Sequence, residues 1–351
     1  MKSVLALCMI VLAGCGASAT SVVSTASPKP SPAGASAGRT PTPGPNLTVS
    51  CRLPLAQPQA DGFRGIFVSF PGGKQSADYA VNLPPNFGAT FTRRYAQWLP
   101  VPLFAVSPDS SKYAYADRVP VPFDHVRIHV VDVISKADRL VYNQNSSSSG
   151  YFVVADYRAE GIYVEDVGPT GEGRSGLWVI DPRSTNVRQI APAGQPSSIR
   201  GFQAIGTGEA WYTDLASGDP PPFEGIAPAD RLVRFDLTTG AVTPWFRRPG
   251  AYVEVLGTDA IGHPIVRTSV MADSVTSISE SLWVVSAPNV ATPIYAGPGS
   301  KDSGYADFLG EPLQDDHGIW FGSGHGVYLF TGSGQLKKVS DVAGLIAGRC
   351  S

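Results

Sequence analysis

Residues 315–334 read DDHGIWFGSGHGVYLFTGSG. Gly322, Gly324 and Gly326 imitate a dinucleotide-binding loop, but such a loop needs a helix directly after it, so that the helix N-terminus faces the pyrophosphate. The next residues are instead VYLF, an alternating β-prone run, and then the turn TGSG. The stretch therefore reads as strand, hairpin and strand, with the glycines letting the chain turn. Asp315, Asp316 and His317 suggest acid–base or metal chemistry. Adjacent strand residues point to opposite faces, so neighbours in sequence reach one pocket only from a turn. A turn is where we place them, just before a strand over 318–321.

The same unit returns along the chain. An apolar strand, a short turn and a more polar strand recur as IHVVDVISKADRLVY (128–142), LWVIDPRSTNVRQI (177–190), LVRFDLTTGAVTPWF (232–246), LWVVSAPNVATPIY (282–295) and VYLFTGSGQLKKV (327–339), with starts 49, 55, 50 and 45 residues apart. A hairpin precedes each: PLFAVSPDSSKYAYADRV (102–119), YFVVADYRAEGIYVEDV (151–167), FQAIGTGEAWYTDL (202–215), VEVLGTDAIGHPIVRTSV (253–270) and DFLGEPLQDDHGIWFGS (307–323). A period of about 50 residues with four short strands per unit predicts an all-β propeller. The first unit is harder: GIFVSFPGGKQSADYAV (65–81) fits the later pair, while 86–100 could also supply its outer strand. Roughly 300 folded residues divided by that period predict six four-stranded blades, with seven as the alternative. The 38 glycines and 31 prolines suit turns and starve long helices.

Two stretches carry a family resemblance. SPDSSKYAYADR (107–118) resembles the Ser-Pro-Asp-Gly turn and strand of TolB-like and other WD-type bacterial propellers, with Ser110 where glycine is usual. DHGIWFGSGHGVYLF (316–330) is similar to the two-component-regulator propeller repeat, although one residue, Ile319, separates Gly318 from Trp320. The resemblance implies a fold and hardly any function, because one superfold hosts many activities.

The N-terminus supplies an address. MKSVLALCMIVLAGC has a basic start and an apolar run over 4–13. That run is too short for a bilayer-spanning helix, which needs about 20 residues, so 1–14 reads as an export signal. Leu12-Ala13-Gly14-Cys15 resembles the lipobox of bacterial lipoproteins, which implies cleavage before Cys15 and a lipid on its sulfur and new amino group. The alternative is plain secretory cleavage. Residues 15–46, almost all Ala, Gly, Ser, Thr and Pro, cannot bury a core and form a flexible tether. Residues 47–351 then form a single propeller domain, monomeric and lipid-anchored to the outer face of the cytoplasmic membrane or to the outer membrane of a bacterial envelope. Cys51 and Cys350 remain at the two ends of the folded part in a disulfide-permissive compartment, and are expected to pair rather than stay as free thiols.

Functional signals are sparser. There is no nucleophile elbow, zinc spacing or calcium loop. Arg127 between His125 and His129 disfavours a cation there. The tryptophans at 98, 178, 211, 245, 283 and 320 recur almost blade by blade and read as packing. A net charge of −2 offers no field for nucleic acid. Long connections between second and third strands run over 117–127, 165–176, 214–231 and 267–281, all on the face of the channel mouth. They hold eleven acids (Asp117, Asp124, Glu165, Asp166, Glu172, Asp214, Asp219, Glu224, Asp230, Asp273, Glu280) against five bases (Arg118, Arg127, Arg174, Arg231, Arg267), which predicts an acidic mouth. Phe223, within GDPPPFEG (218–225), is a candidate contact, and Asp316 and His317 matter if their turn faces a ligand.

The expected function is a non-enzymatic binding or scaffold module for a protein, peptide or envelope polymer, touching membrane only through its lipid and needing no cofactor. The alternative is a propeller lyase, lactonase or glycan-acting hydrolase with Ca2+ or another divalent cation in the channel, as the gluconolactonase-like propellers imply. A third class is a structural partner in a surface complex.

Overall fold

The computed structural model describes residues 49–351 apart from 77–80, 84–87, 119–124, 146–150, 168–173, 193–194, 197–199, 217–228, 274 and 303. The signal segment, Cys15, the tether, Asp124, Asp219, Phe223 and Glu224 lie outside the described residues. Apart from one 3-10 turn, every regular element described is a strand.

Blade 1 contains β1 (Cys51–Gln59), β2 (Gly62–Phe70), β3 (Lys74–Gln75) and β4 (Val81–Leu83), the last two sharing the outer edge of β2. A separate hairpin, β5 (Thr90–Thr92) and β6 (Gln97–Leu99), comes next. Blade 2 contains β7 (Lys112–Arg118), β8 (His125–Asp132) and β9 (Asp138–Asn145). Blade 3 runs through β10 (Tyr151–Arg158), β11 (Gly161–Val167), β12 (Arg174–Ile180) and β13 (Val187–Ala191). Blade 4 has β14 (Ala204–Ile205), β15 (Glu209–Asp214), β16 (Arg231–Asp236) and β17 (Val242–Arg247). Blade 5 has β18 (Tyr252–Thr258), β19 (Pro264–Met271), β20 (Ser277–Ala287) and β21 (Val290–Pro298). Blade 6 has β22 (Phe308–Asp315), β23 (Gly318–Ser323), β24 (Gly326–Phe330) and β25 (Lys337–Ser340). The final strand, β26 (Leu345–Ile346), returns to pair with β1 as the inner strand of blade 1. The ring is a six-bladed propeller.

Strand periodicity explains the packing. Alternate side chains of each blade face the next blade, as in β18, where every second residue is buried. Ala114, Ile128 and Val141 of blade 2 meet Phe152, Ile162 and Ile180 of blade 3. Equivalent layers join blades 3 and 4, 4 and 5, and 5 and 6. Trp320 and Leu329 of blade 6 pack against Leu53, Ile66 and Phe70 of blade 1. Leu53, Ile128, Ile162 and Leu177 are fully enclosed, each contributing about 1.5–3 kcal/mol. Trp211 and Trp320 are likewise buried, and Trp98, Trp178, Trp245 and Trp283 pack on the edges of these layers.

Closure joins the two ends of the domain. Ala347 N–H donates to Pro54 O at 3.0 Å, and Arg52 and Ser351 exchange backbone hydrogen bonds. Cys51 and Cys350 form a disulfide with Cα atoms 5.5 Å apart. The expected staple is therefore present.

Two local readings resolve differently from the simplest repeat. Of the 86–100 stretch, the described residues 88–100 do not complete blade 1; they contain the β5–β6 hairpin, whose Trp98 packs with Phe67 and Phe91. Blade 2 is three-stranded, because the place of its inner strand is taken by the 3-10 turn Leu103–Ala105 and a single bridge from Val106 to Tyr113. Pro100 and Pro102 have no N–H to give a sheet, so the chain leaves the strand path there.

The 315–334 stretch folds as read. Gly318 sits at φ +136°, and a Cβ there would meet Phe330 O at 2.2 Å. Only glycine fits so close a hairpin start. Ser110, which stands in the Ser-Pro-Asp turn at 107–110, adopts φ +60°. Asp109 steadies that turn by accepting from Ser107 Oγ at 2.8 Å and Ser111 N–H at 3.1 Å. These donors lower its carboxyl to about 2.

Candidate binding face

In an up-and-down blade, the loops joining second to third strands emerge at one end and the other hairpins at the opposite end. At the bases of the long loops, acids and arginines pair across the strands. Asp117 stands opposite Arg127 in the β7–β8 register, with their charged groups 3.8 Å apart. Asp214 stands opposite Arg231 and accepts from its Nε and Nη2, each at 2.8 Å. Asp230, buried beside them, accepts from Arg247 Nε at 2.9 Å and from Ala216 N–H at 2.9 Å, tying down both ends of the blade 4 loop. In blade 5 Asp273 caps the turn, accepting from Val275 and Thr276 N–H at 2.9 and 2.8 Å, which lowers its pKa. Cross-strand opposite charges and bidentate arginine pairs hold register as well as charge.

Two acids of this face are enclosed and a third is partly so. Glu165 is fully buried; its Oε1 accepts from Phe202 N–H at 2.5 Å, and Arg174 lies 3.7 Å from Oε2. Burial raises its pKa to about 7 against the opposing Phe202 amide and Arg174. Glu280 is also buried, with neither oxygen hydrogen-bonded and Arg267 at 3.5 Å. Burial again raises its pKa to about 7, with Arg267 opposing. Arg267 also donates through Nε to Glu254 Oε2 at 2.9 Å, and Arg200 pairs with the other Glu254 oxygen. Asp166 is partly exposed, and desolvation raises its pKa to about 6.

Asp316 and His317 stand apart from this group. Their turn joins β22 to β23, at the blade end opposite the long loops. Asp315 there is a structural anchor: it accepts from Trp320 Nε1 at 2.8 Å, His317 N–H at 2.8 Å and Cys350 N–H at 3.0 Å. Asp316 is exposed beside it. His129 is engaged with Asp138 at 2.8 Å and stacked on Tyr115.

The sequence reading did not single out a second set of charges, on the inner strands. Asp156 on β10 is nearly enclosed and takes Arg158 Nε at 2.6 Å. Burial raises its pKa to about 6, with Arg158 opposing. Glu311 on β22 keeps Oε2 buried without a hydrogen-bond partner. Desolvation raises Glu311 to about 8; the Asp156 charge adds to the shift and Arg158 opposes it. These acids lie in different blades and leave no common spacing.

No family model matches the sequence, and comparison with curated proteins finds no relative. Among solved structures, TolB from Acinetobacter baumannii is similar at 11% identity, covering 87% of this chain and 68% of that one with a TM-score of 0.41. Oligogalacturonate lyase from Vibrio parahaemolyticus is similar at 12% identity, with coverage of 82% and 85% and a TM-score of 0.44. The periplasmic gluconolactonase of Pseudomonas aeruginosa is similar at 11% identity, with coverage of 84% and 83% and a TM-score of 0.42. What these proteins share with this chain is the β-propeller fold.

Proposed function

We propose that this protein is a lipid-anchored, extracytoplasmic propeller that binds a protein, peptide or envelope polymer on the face carrying its long loops. The observation that supports it is the set of acid–arginine pairs at the loop bases: Asp117–Arg127, Asp214–Arg231 and Asp230–Arg247. Each anchors a loop to a rigid blade, the arrangement by which scaffolds present recognition loops. A carboxylate held by a guanidinium is also poorly placed for proton transfer, which favours binding over catalysis. Asp124, Asp219, Phe223 and Glu224 belong to the proposed contact surface, with Asp166 and Asp273 at its edge. Cys15 carries the lipid, and 15–46 forms the tether.

The test is site-specific photocrosslinking of full-length protein in cells. Photoreactive residues at Glu172 and Glu224 should capture a partner, and those at Asn289 and Ser333, on the opposite turns, should not. Capture only from the opposite turns would sink the reading. Cys15→Ser should move the protein from the membrane to the soluble fraction.

A second reading, a propeller enzyme with a divalent cation in its channel, draws on Asp156 and Glu311. The donor set does not fit: Arg158 already occupies Asp156, and among the described residues no three acidic, imidazole or thiol groups converge. A stoichiometric calcium-induced rise in Tm would restore that reading.

A further inference from the structure

Blade 2 lacks most of its inner strand, and the vacancy has chemistry of its own. In blade 1 that position is filled by β26, brought from the far end of the domain. Blades 3 to 6 fill it with β10, β14, β18 and β22. In blade 2 only Val106 pairs with β7, at Tyr113. Ser107 N–H donates to Lys112 O at 2.9 Å, which sets which residues of β7 aim their backbone groups inward. By the two-residue period these are Lys112, Ala114, Ala116 and Arg118. Among the described residues no strand pairs with this edge beyond Val106.

A slot of about 90 Å3, partly open to solvent, lies against the open edge. Pro100, Pro102, Phe104, Ala116 and Val154 are among its lining residues. Among the described lining residues the one that is charged is Arg174. Its side chain is 45% exposed, and its ion pair with Glu165, at 3.7 Å, is longer than a hydrogen bond. An unpaired strand edge beside an apolar slot is a template for strand addition. A half-exposed guanidinium at the slot selects for a carboxylate.

We propose that the slot takes an extended segment of a partner protein, added antiparallel to β7 as the missing inner strand. Its alternate side chains are apolar and fill the slot, and one acidic residue meets Arg174. This rests on the binding-module reading and narrows its partner to an acidic, β-prone peptide.

The test uses full-length protein in detergent micelles and a phage-displayed random heptapeptide library as probe. Enriched sequences should alternate apolar residues and carry an acid. A synthetic copy bearing a photocrosslinker should label residues 114–116 and 153–154 and slow amide exchange over 112–118. Arg174→Glu should weaken that peptide about tenfold or more and select basic sequences instead; because a second acid beside buried Glu165 can unfold the blade, Arg174→Gln is read alongside it and should weaken the peptide without selecting basic sequences. Ala116→Trp should fill the slot and abolish binding. Enrichment that ignores the charge at 174 overturns the proposal, as does a library that yields no binder. Crosslinks confined to 217–228 also overturn it while leaving the binding-module reading standing. Protection of 112–118 in the free protein would mean that the chain covers its own edge, which likewise overturns it.

Discussion

Glu280 should make this protein less stable as pH rises. Its side chain is buried, neither oxygen has a hydrogen-bond donor, and Arg267 stands 3.5 Å away while bonding Glu254 at 2.9 Å. Tyr295, Tyr305, Tyr328 and Asp307 also face it and supply no positive charge. Burial raises the pKa from the ordinary 4.5 to about 7. Between those values the folded protein holds a proton that the unfolded chain has released. The stabilising contribution is therefore complete below pH 4.5 and lost as pH rises through about 7. At about 1.4 kcal/mol per pKa unit, the loss by pH 8 is about 3 kcal/mol from this residue. Glu280→Gln cannot ionise and leaves Arg267 its Glu254 partner. Urea unfolding at pH 5 and pH 8, with the disulfide intact, should show the variant's stability falling less than the wild type's by about that amount. An unchanged pH dependence, or equal destabilisation at both pH values, would show that Glu280 is ionised in the fold and that the Arg267 pair outweighs its burial.

Other perturbations probe closure and geometry. Replacing both Cys51 and Cys350 with serine should cost about 5 kcal/mol, because the bridge spans a sequence separation of 299 and loop entropy grows with its logarithm; Tm by circular dichroism reads this, and an unchanged Tm refutes it. Intact mass of unreduced protein should show no free thiol at these two positions. Gly318→Ala should destabilise by about 2 kcal/mol or more, since Cβ would overlap Phe330 O at a φ that side chains avoid. Asp214→Asn should destabilise by about 1–3 kcal/mol by leaving partly buried Arg231 short of its bidentate partner; double-mutant analysis with Arg231→Ala should show coupling.

Much of the architecture was legible because propeller blades are local. Each hairpin is closed by its own turn, so the 128–142 and 177–190 units declare themselves through apolar runs and an aspartate at the strand end. Those aspartates, Asp132, Asp181 and Asp236, accept turn N–H groups in three successive blades. They are a repeat signal that a reading by hydrophobicity alone passes over. The mouth was less legible. A count of acids over its loops treats each carboxylate as free, whereas Arg247 comes to Asp230 from a strand outside the counted stretch. Asp316 and His317 matter only if their turn faces a ligand, and hairpin connectivity places that turn at the blade end opposite the long loops.

The sequence by itself determined the propeller class and the repeat length, because strand period and turn chemistry act over a few residues; it made the Cys51–Cys350 pair an expectation, which ring closure brings into contact. Tertiary structure alone decided that β26 completes blade 1, that among the described residues no full strand covers the inner edge of blade 2, and that Glu165, Glu280 and the Oε2 of Glu311 are enclosed. These outcomes depend on which blades meet as the ring closes and on how water is excluded between them. No spacing along the chain records either.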